Sequence, residues 1–144
     1  SELKYQADIS QEILGIQIPN FTLQPLLENS LMHGLKDRRY CGTIILKIVE
    51  EGTGERVLSI WIIDDGVGIS QEKLDELNGY SNENAESIYR TQFEVQEEAT
   101  HLGVVNVISR LKLYYQDNCS IRYSKNETGG TSVNIQIKLE SDEK

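Results

Sequence analysis

The stretch Arg56-Val57-Leu58-Ser59-Ile60-Trp61-Ile62-Ile63-Asp64-Asp65-Gly66-Val67-Gly68-Ile69 decides how this chain folds. Up to Ile63 it is apolar at nearly every position, the pattern of a central strand, and it then runs straight into an acidic pair and two glycines at alternate positions. Thr43 to Glu50 has the same apolar character, and the connection Glu51-Gly52-Thr53-Gly54-Glu55 makes the two runs an antiparallel hairpin.

Moving outward, Cys119 to Lys125 and Thr131 to Leu139 form a closing hairpin across Asn126-Glu127-Thr128-Gly129-Gly130. The last strand alternates, with Val133, Ile135, Ile137 and Leu139 inward and Ser132, Asn134, Gln136 and Lys138 outward, which predicts one buried and one wet sheet face. Leu3 to Ile18 reads as an extended edge that ends at Pro19. Helical periodicity begins at Thr22, a capping residue, with Pro25 in the first turn; Leu23, Leu26, Leu27, Ser30 and Leu31 form the stripe and Gly34 stops it. A short helix is predicted over Gln71 to Leu77 and a longer one over Gly103 to Tyr115. Asn78 to Thr100, poor in apolar residues and rich in Glu, reads as a long loop of the kind that acts as a lid. The expected fold is an α/β (α+β) two-layer sandwich, a mixed, mostly antiparallel sheet with helices on one face.

A chain of 144 residues suits one domain, spanning 1–144. Hydrophobic residues at 38% and charged residues at 26% argue against disorder. Fourteen Lys and Arg against 23 Asp and Glu give a net charge of −9, which excludes a broad electropositive surface for nucleic acid or acidic lipid. Any phosphate ligand must be held by backbone geometry and a metal. Val57 to Ile63, the longest uncharged apolar run, is far short of the roughly 20 residues of a membrane helix, so no direct membrane contact is expected. Cys41 and Cys119 carry no metal-site or disulfide spacing and read as thiols in a reducing compartment. The start at Ser1, with no targeting segment, suggests a piece of something longer.

Three segments can carry chemistry. In Leu23-Gln24-Pro25-Leu26-Leu27-Glu28-Asn29-Ser30-Leu31-Met32-His33-Gly34, Asn29 and His33 are i and i+4, about 5–6 Å apart at Cβ on one helical face. The Asn oxygen suits a hard cation such as Mg²⁺ and the imidazole suits a phosphate oxygen, although boundary residues satisfied by backbone or water would look the same. In Asp64-Asp65-Gly66-Val67-Gly68, a carboxylate at a strand end can accept from an exocyclic amine while the glycines let a flat ring approach the chain. A glycine-rich turn with a solvated Asp pair is the plainer alternative. In His101-Leu102-Gly103-Val104-Val105-Asn106-Val107-Ile108-Ser109-Arg110-Leu111, a glycine at a helix start follows the long loop, an arrangement for binding an anion under a lid.

In order, these segments resemble the motif series of the histidine-kinase-type ATPase superfamily, which also contains gyrase, the large heat-shock chaperone and the mismatch-repair ATPase. Leu23 to Gly34 resembles its N box, Ile63 to Ile69 and His101 to Leu111 its two glycine boxes, and Gly129-Gly130-Thr131 its glycine-threonine turn. Ile18-Pro19, the run Leu23 to Ser30, His33-Gly34, Asn106-Val107 and Arg110 to Tyr115 are similar to bacterial sensor kinases that regulate cell-wall autolysis and sugar uptake.

The resemblance implies a Bergerat-type ATP-binding fold with ATP and Mg²⁺ as ligands. It implies Asn29 as metal ligand and, with His33, part of the catalytic group; Asp64 as adenine reader; Gly66 and Gly68 as ring-approach glycines; Gly103 as hinge of a lid over about 78–103; and Thr131 as support beneath the base. Pro25 stands four before Asn29, where gyrase-like members carry a catalytic Glu, and Glu28 lies roughly 100° round the helix from Asn29, which fits a kinase better than a hydrolase. His101 stands where the usual first glycine of the second box would be.

The implied function is the catalytic domain of a two-component sensor histidine kinase, which transfers the γ-phosphoryl of Mg·ATP to a histidine on a separate helical domain. The implied partners are that phosphoacceptor domain, a second copy in a full-length homodimer, and a response regulator, with the domain on the cytoplasmic side of a membrane protein. A nucleotide-free protein-interaction module and an ATP-hydrolysing or serine-kinase relative are the alternatives.

Overall fold

The computed structural model describes residues 3–9, 23–35, 39, 41–52, 54–81 and 102–139. Its centre is a row of isoleucines. Ile48, Ile60, Ile135 and Ile121 are successive cross-strand partners, and Ile9 extends the row by pairing with Ile48. The strands that carry them are β1 (Leu3–Ile9), β2 (Gly42–Glu51), β3 (Arg56–Asp64), β4 (Cys119–Lys125) and β5 (Thr131–Leu139), in the sheet order β1-β2-β3-β5-β4. Among the described strands only the β1–β2 pairing is parallel. The sheet is therefore mixed and mostly antiparallel, with the most apolar strand in the middle.

Among the described residues three helices pack against it: α1 (Leu23–Asn29), continued by a π-helical turn (Ser30–Leu35); α2 (Gln71–Ser81); and α3 (Leu102–Tyr115), which ends in a 3₁₀ turn (Gln116–Asn118). Leu26, Leu35, Leu74, Leu77, Val104, Val105, Val107, Ile108 and Leu111 meet the inward sheet residues Ile44, Leu46, Ile48, Leu58, Ile60, Ile62, Ile121, Tyr123, Val133, Ile135 and Ile137 in one core. Burial of this apolar surface is the main favourable term in folding. All of β1 is exposed, so the core lies beneath the other four strands.

Three details depart from the sequence pattern. The first helix does not stop at Gly34; it widens into the π turn, which carries the fully buried Leu35 into the core beside Gly42. The helix beginning at Gln71, capped by the Ser70 hydroxyl on the Lys73 N–H, runs to Ser81 instead of ending at Leu77. The extra turn is held because the Asn78 carboxamide donates to the Tyr123 carbonyl at 3.0 Å and accepts from the Tyr123 N–H at 2.7 Å, occupying the outer edge of β4 as a neighbouring strand would. The helix thus takes residues 78–81 from the expected lid; residues 82–101 of that lid and 10–18 of the expected edge lie outside the described residues. On the open sheet face, Ser59 and Ser132 are buried instead of wet. Ser59 is short, sits between Val49 and Gln136 in its row, and accepts from the Asn134 carboxamide at 3.0 Å.

Candidate functional site

Strand register creates the site. Along β3 the residues sharing the helix-facing side are Arg56, Leu58, Ile60, Ile62 and Asp64, so the pleat alone turns the Asp64 carboxylate inward. Only 3% of this residue is exposed. Its Oδ1 accepts from the Gly66 N–H at 2.9 Å and the Thr131 N–H at 3.3 Å, and the Ser30 hydroxyl supplies a third bond. Burial pushes the carboxyl above its ordinary range; those three bonds pull the other way and the nearby Asp65 charge adds to the rise.

Beneath Asp64 the main chain of two loops meets. Gly68 has φ +79°, and a Cβ there would run into the Gly129 carbonyl oxygen. A Cβ on Gly130 would strike the Asp64 carbonyl oxygen and the backbone that follows it. Only glycine permits both approaches. The Asn126 carboxamide donates to the same Asp64 carbonyl at 2.7 Å. On the other side, the Asp65 carboxylate accepts from the Thr43 N–H at 2.7 Å, and the Asp65 N–H donates to the Thr43 carbonyl at 3.2 Å. The acidic loop is thereby tied to the start of β2 and to the β4–β5 turn at once.

Of the residues the sequence singles out, Asp64, Gly66, Gly68 and Thr131 converge at this end of the sheet. Asn29 is the last residue of α1 and His33 lies within the π turn; this turn packs on β3, and the Ser30 bond brings the helix beside Asp64. The side-chain positions of Asn29 and His33, like residue 101, lie outside the described residues. Gly103 is in the first turn of α3, a helix that packs on α1. Glu28 is exposed and accepts from Gln24 at 3.0 Å. Among the described residues no group of three His, Cys, Asp or Glu could hold a metal by itself.

Two contributors are not legible as site residues in the sequence. Ser30 hides in an apolar stripe, where a buried polar residue is itself the clue that a partner exists. Asn126 opens a turn, a place where Asn is ordinarily explained by local backbone bonds.

A buried carboxylate at a strand end with glycines under it is what the resemblance requires, and the family model described as histidine kinase-, DNA gyrase B-, and HSP90-like ATPase matches residues 20–141. The chain belongs to this ATPase family. The domain is 28% identical over 143 residues to the sensor protein LytS of Streptococcus mutans, covering 98% of this chain and 22% of that protein's length. Its fold is that of the histidine kinase domain of the Erythrobacter litoralis blue-light activated kinase, with a TM-score of 0.59 at 21% identity over 95% of this chain and 52% of that one. It is likewise that of full-length ShkA in complex with AMPPNP, with a TM-score of 0.58 at 14% identity over 94% of this chain and 25% of that one. At such identities the likeness is one of fold. The mixed five-stranded sheet with helices agrees with the expected α/β sandwich.

Proposed function

We propose that this ATPase-family domain is the ATP-binding catalytic unit of a two-component sensor histidine kinase, delivering the γ-phosphoryl of Mg·ATP to a histidine on a separate helical domain. The observation that carries the reading is Asp64: a buried carboxylate, oriented by two amides and a hydroxyl, above a floor in which glycines admit close approach. A carboxylate has acceptor capacity beyond those three bonds, which suits the exocyclic amine of adenine.

In this reading Gly66 and Gly68 let the ring lie against the chain, and Thr131 supports Asp64 from below. The Asn29 carbonyl oxygen would hold Mg²⁺ and His33 a phosphate oxygen. A single neutral protein ligand fits a Mg²⁺ that arrives with the nucleotide phosphates, and the ion would supply charge neutralisation at those phosphates. The first-turn amides of α3, with Gly103 as hinge, would meet the anion. Such a site works against a net charge of −9 because its positive ends are amides and a metal.

Glu28 favours phosphoryl transfer over hydrolysis: it is exposed and bonded to Gln24, and so is not arranged to activate a water. The relatives' description as sensor proteins and a sensor histidine kinase supports a phosphoacceptor domain and a response regulator downstream; with these the proposal places a homodimeric full-length protein with this domain on the cytoplasmic side of a membrane. Isothermal titration of the 144-residue chain with Mg·ADP and Mg·AMPPNP tests the reading. Binding that is lost in Asp64→Ala and weakened without Mg²⁺ or in Asn29→Ala supports it. Absence of heat and of any thermal shift, or binding indifferent to both substitutions, overturns it.

A further inference from the structure

Asn126 lies 62 positions along the chain from Asp64 yet touches it. A main-chain carbonyl can only accept, so the carboxamide must present its nitrogen there, and the Thr128 hydroxyl donating to Asn126 Oδ1 at 2.7 Å fixes the amide the same way round. The turn behind it is closed by its own backbone: the Asn126 N–H donates to Gly130 at 3.1 Å and the Gly129 N–H to Asn126 at 3.0 Å. Asn126 is thus a rigid strut from the β4–β5 turn to the residue whose carboxylate faces the helices.

The strut acts on the weaker of the two amide bonds to that carboxylate. The Gly66 bond, at 2.9 Å, spans two residues and moves with Asp64. The Thr131 bond, at 3.3 Å, comes from the residue after the 126–130 turn and depends on how closely the turn is pressed to Asp64. At that length a small retreat of the turn removes it.

We infer that Asn126 is a positioning residue for base selection, holding the Asp64 carboxylate where it favours a 6-aminopurine over a 6-oxopurine nucleotide; the inference rests on the ATP-binding reading above. A 6-oxo group presents an acceptor to a carboxylate, whereas a 6-amino group presents a donor. Sugar, phosphate and ring contacts are common to both nucleotides, so a fault in the position of Asp64 appears in their ratio.

The experiment compares Mg·ATP with Mg·ITP by isothermal titration for the unaltered chain, Asn126→Ala, Asn126→Asp and Thr128→Ala, with circular dichroism as the check on folding. The unaltered chain is expected to prefer ATP. Asn126→Ala and Asn126→Asp are expected to reduce the ratio about tenfold, chiefly by weakening ATP, as loss of roughly one hydrogen bond does. Thr128→Ala, which leaves the strut in place but frees its rotation, reduces the ratio less and keeps the inference testable if the Asn126 variants do not fold. An ATP preference unchanged in every folded variant, or a parallel loss of ATP and ITP, overturns this inference and leaves the ATP-binding reading standing. Equal binding of the two nucleotides by the unaltered chain overturns the role of Asp64 as base reader and the inference with it.

Discussion

The inward stripe of β3 is charged at both ends, and the two ends are held in opposite ways. At one end Arg56 makes an ion pair with Glu50, with Nε 2.6 Å from a carboxylate oxygen, on the rim of the sheet. At the other, Asp64 has no basic partner among the described residues; it is buried and bonded to main-chain amides and a serine. The rim pair is a partly exposed contact between side chains, and such pairs contribute little. The Asp64 end is locked by backbone that cannot move without moving two loops. A site that must keep its geometry has been built from the second kind of contact.

Substituting the glycines beneath Asp64 breaks the comparison hardest. Gly130→Ala drives a methyl into the Asp64 carbonyl and is expected to cost about 3 kcal/mol or more, a loss of roughly 6–12 °C in Tm by calorimetry or circular dichroism. Next, Asp64→Asn is expected to weaken Mg·ATP binding at least about tenfold by titration, since an amide offers less to an amine than a carboxylate does. The same substitution is expected to raise Tm at pH 7, because it removes a charge that burial disfavours. At the far end Gly52→Ala, where φ is +103° and a Cβ would meet the Glu55 carbonyl, is expected to cost about 1–2 kcal/mol, because an exposed hairpin loop can adjust. Glu50→Gln is expected to shift Tm by no more than about 1 °C.

Protons separate the ends by sign. Asp64 titrates higher in the folded chain than its ordinary 3.8, so the folded state keeps a proton that the unfolded state has released, and stability falls as pH rises through that window. Glu50 titrates lower than its ordinary 4.5, chiefly through its hydrogen bond with Arg56, so its contribution is present above 4.5 and is lost as pH falls through the folded value. Chemical denaturation across acid pH should show Asp64→Asn removing the falling component and Glu50→Gln the rising one. The reverse assignment would contradict the comparison.

The strands were legible because their apolar patterns, nearly continuous in β3 and alternating in β5, serve one core: β3, β4 and β5 end at the residues those patterns predict. Asp64 was legible for a related reason, as a carboxylate closing an apolar run. What sequence order hides is the partner that arrives from elsewhere. Asn78 reads as the start of a loop until Tyr123, 45 positions on, is seen to need its edge covered. Ser30 and Asn126 reach Asp64 from different elements in the same way. Periodicity reports which face a residue is on, and says nothing of which distant backbone group waits there.

The two glycines that press the 65–69 and 126–130 loops together also constrain inheritance. Each loop's main chain is the other's wall, so neither can lengthen alone without parting Gly68 from Gly129 or Gly130 from Asp64. Descendants of this chain are therefore expected to preserve the lengths of both loops or to alter them as a pair, while the hairpin between β2 and β3, where a Cβ on Gly54 would meet nothing, is left open to insertion and drift.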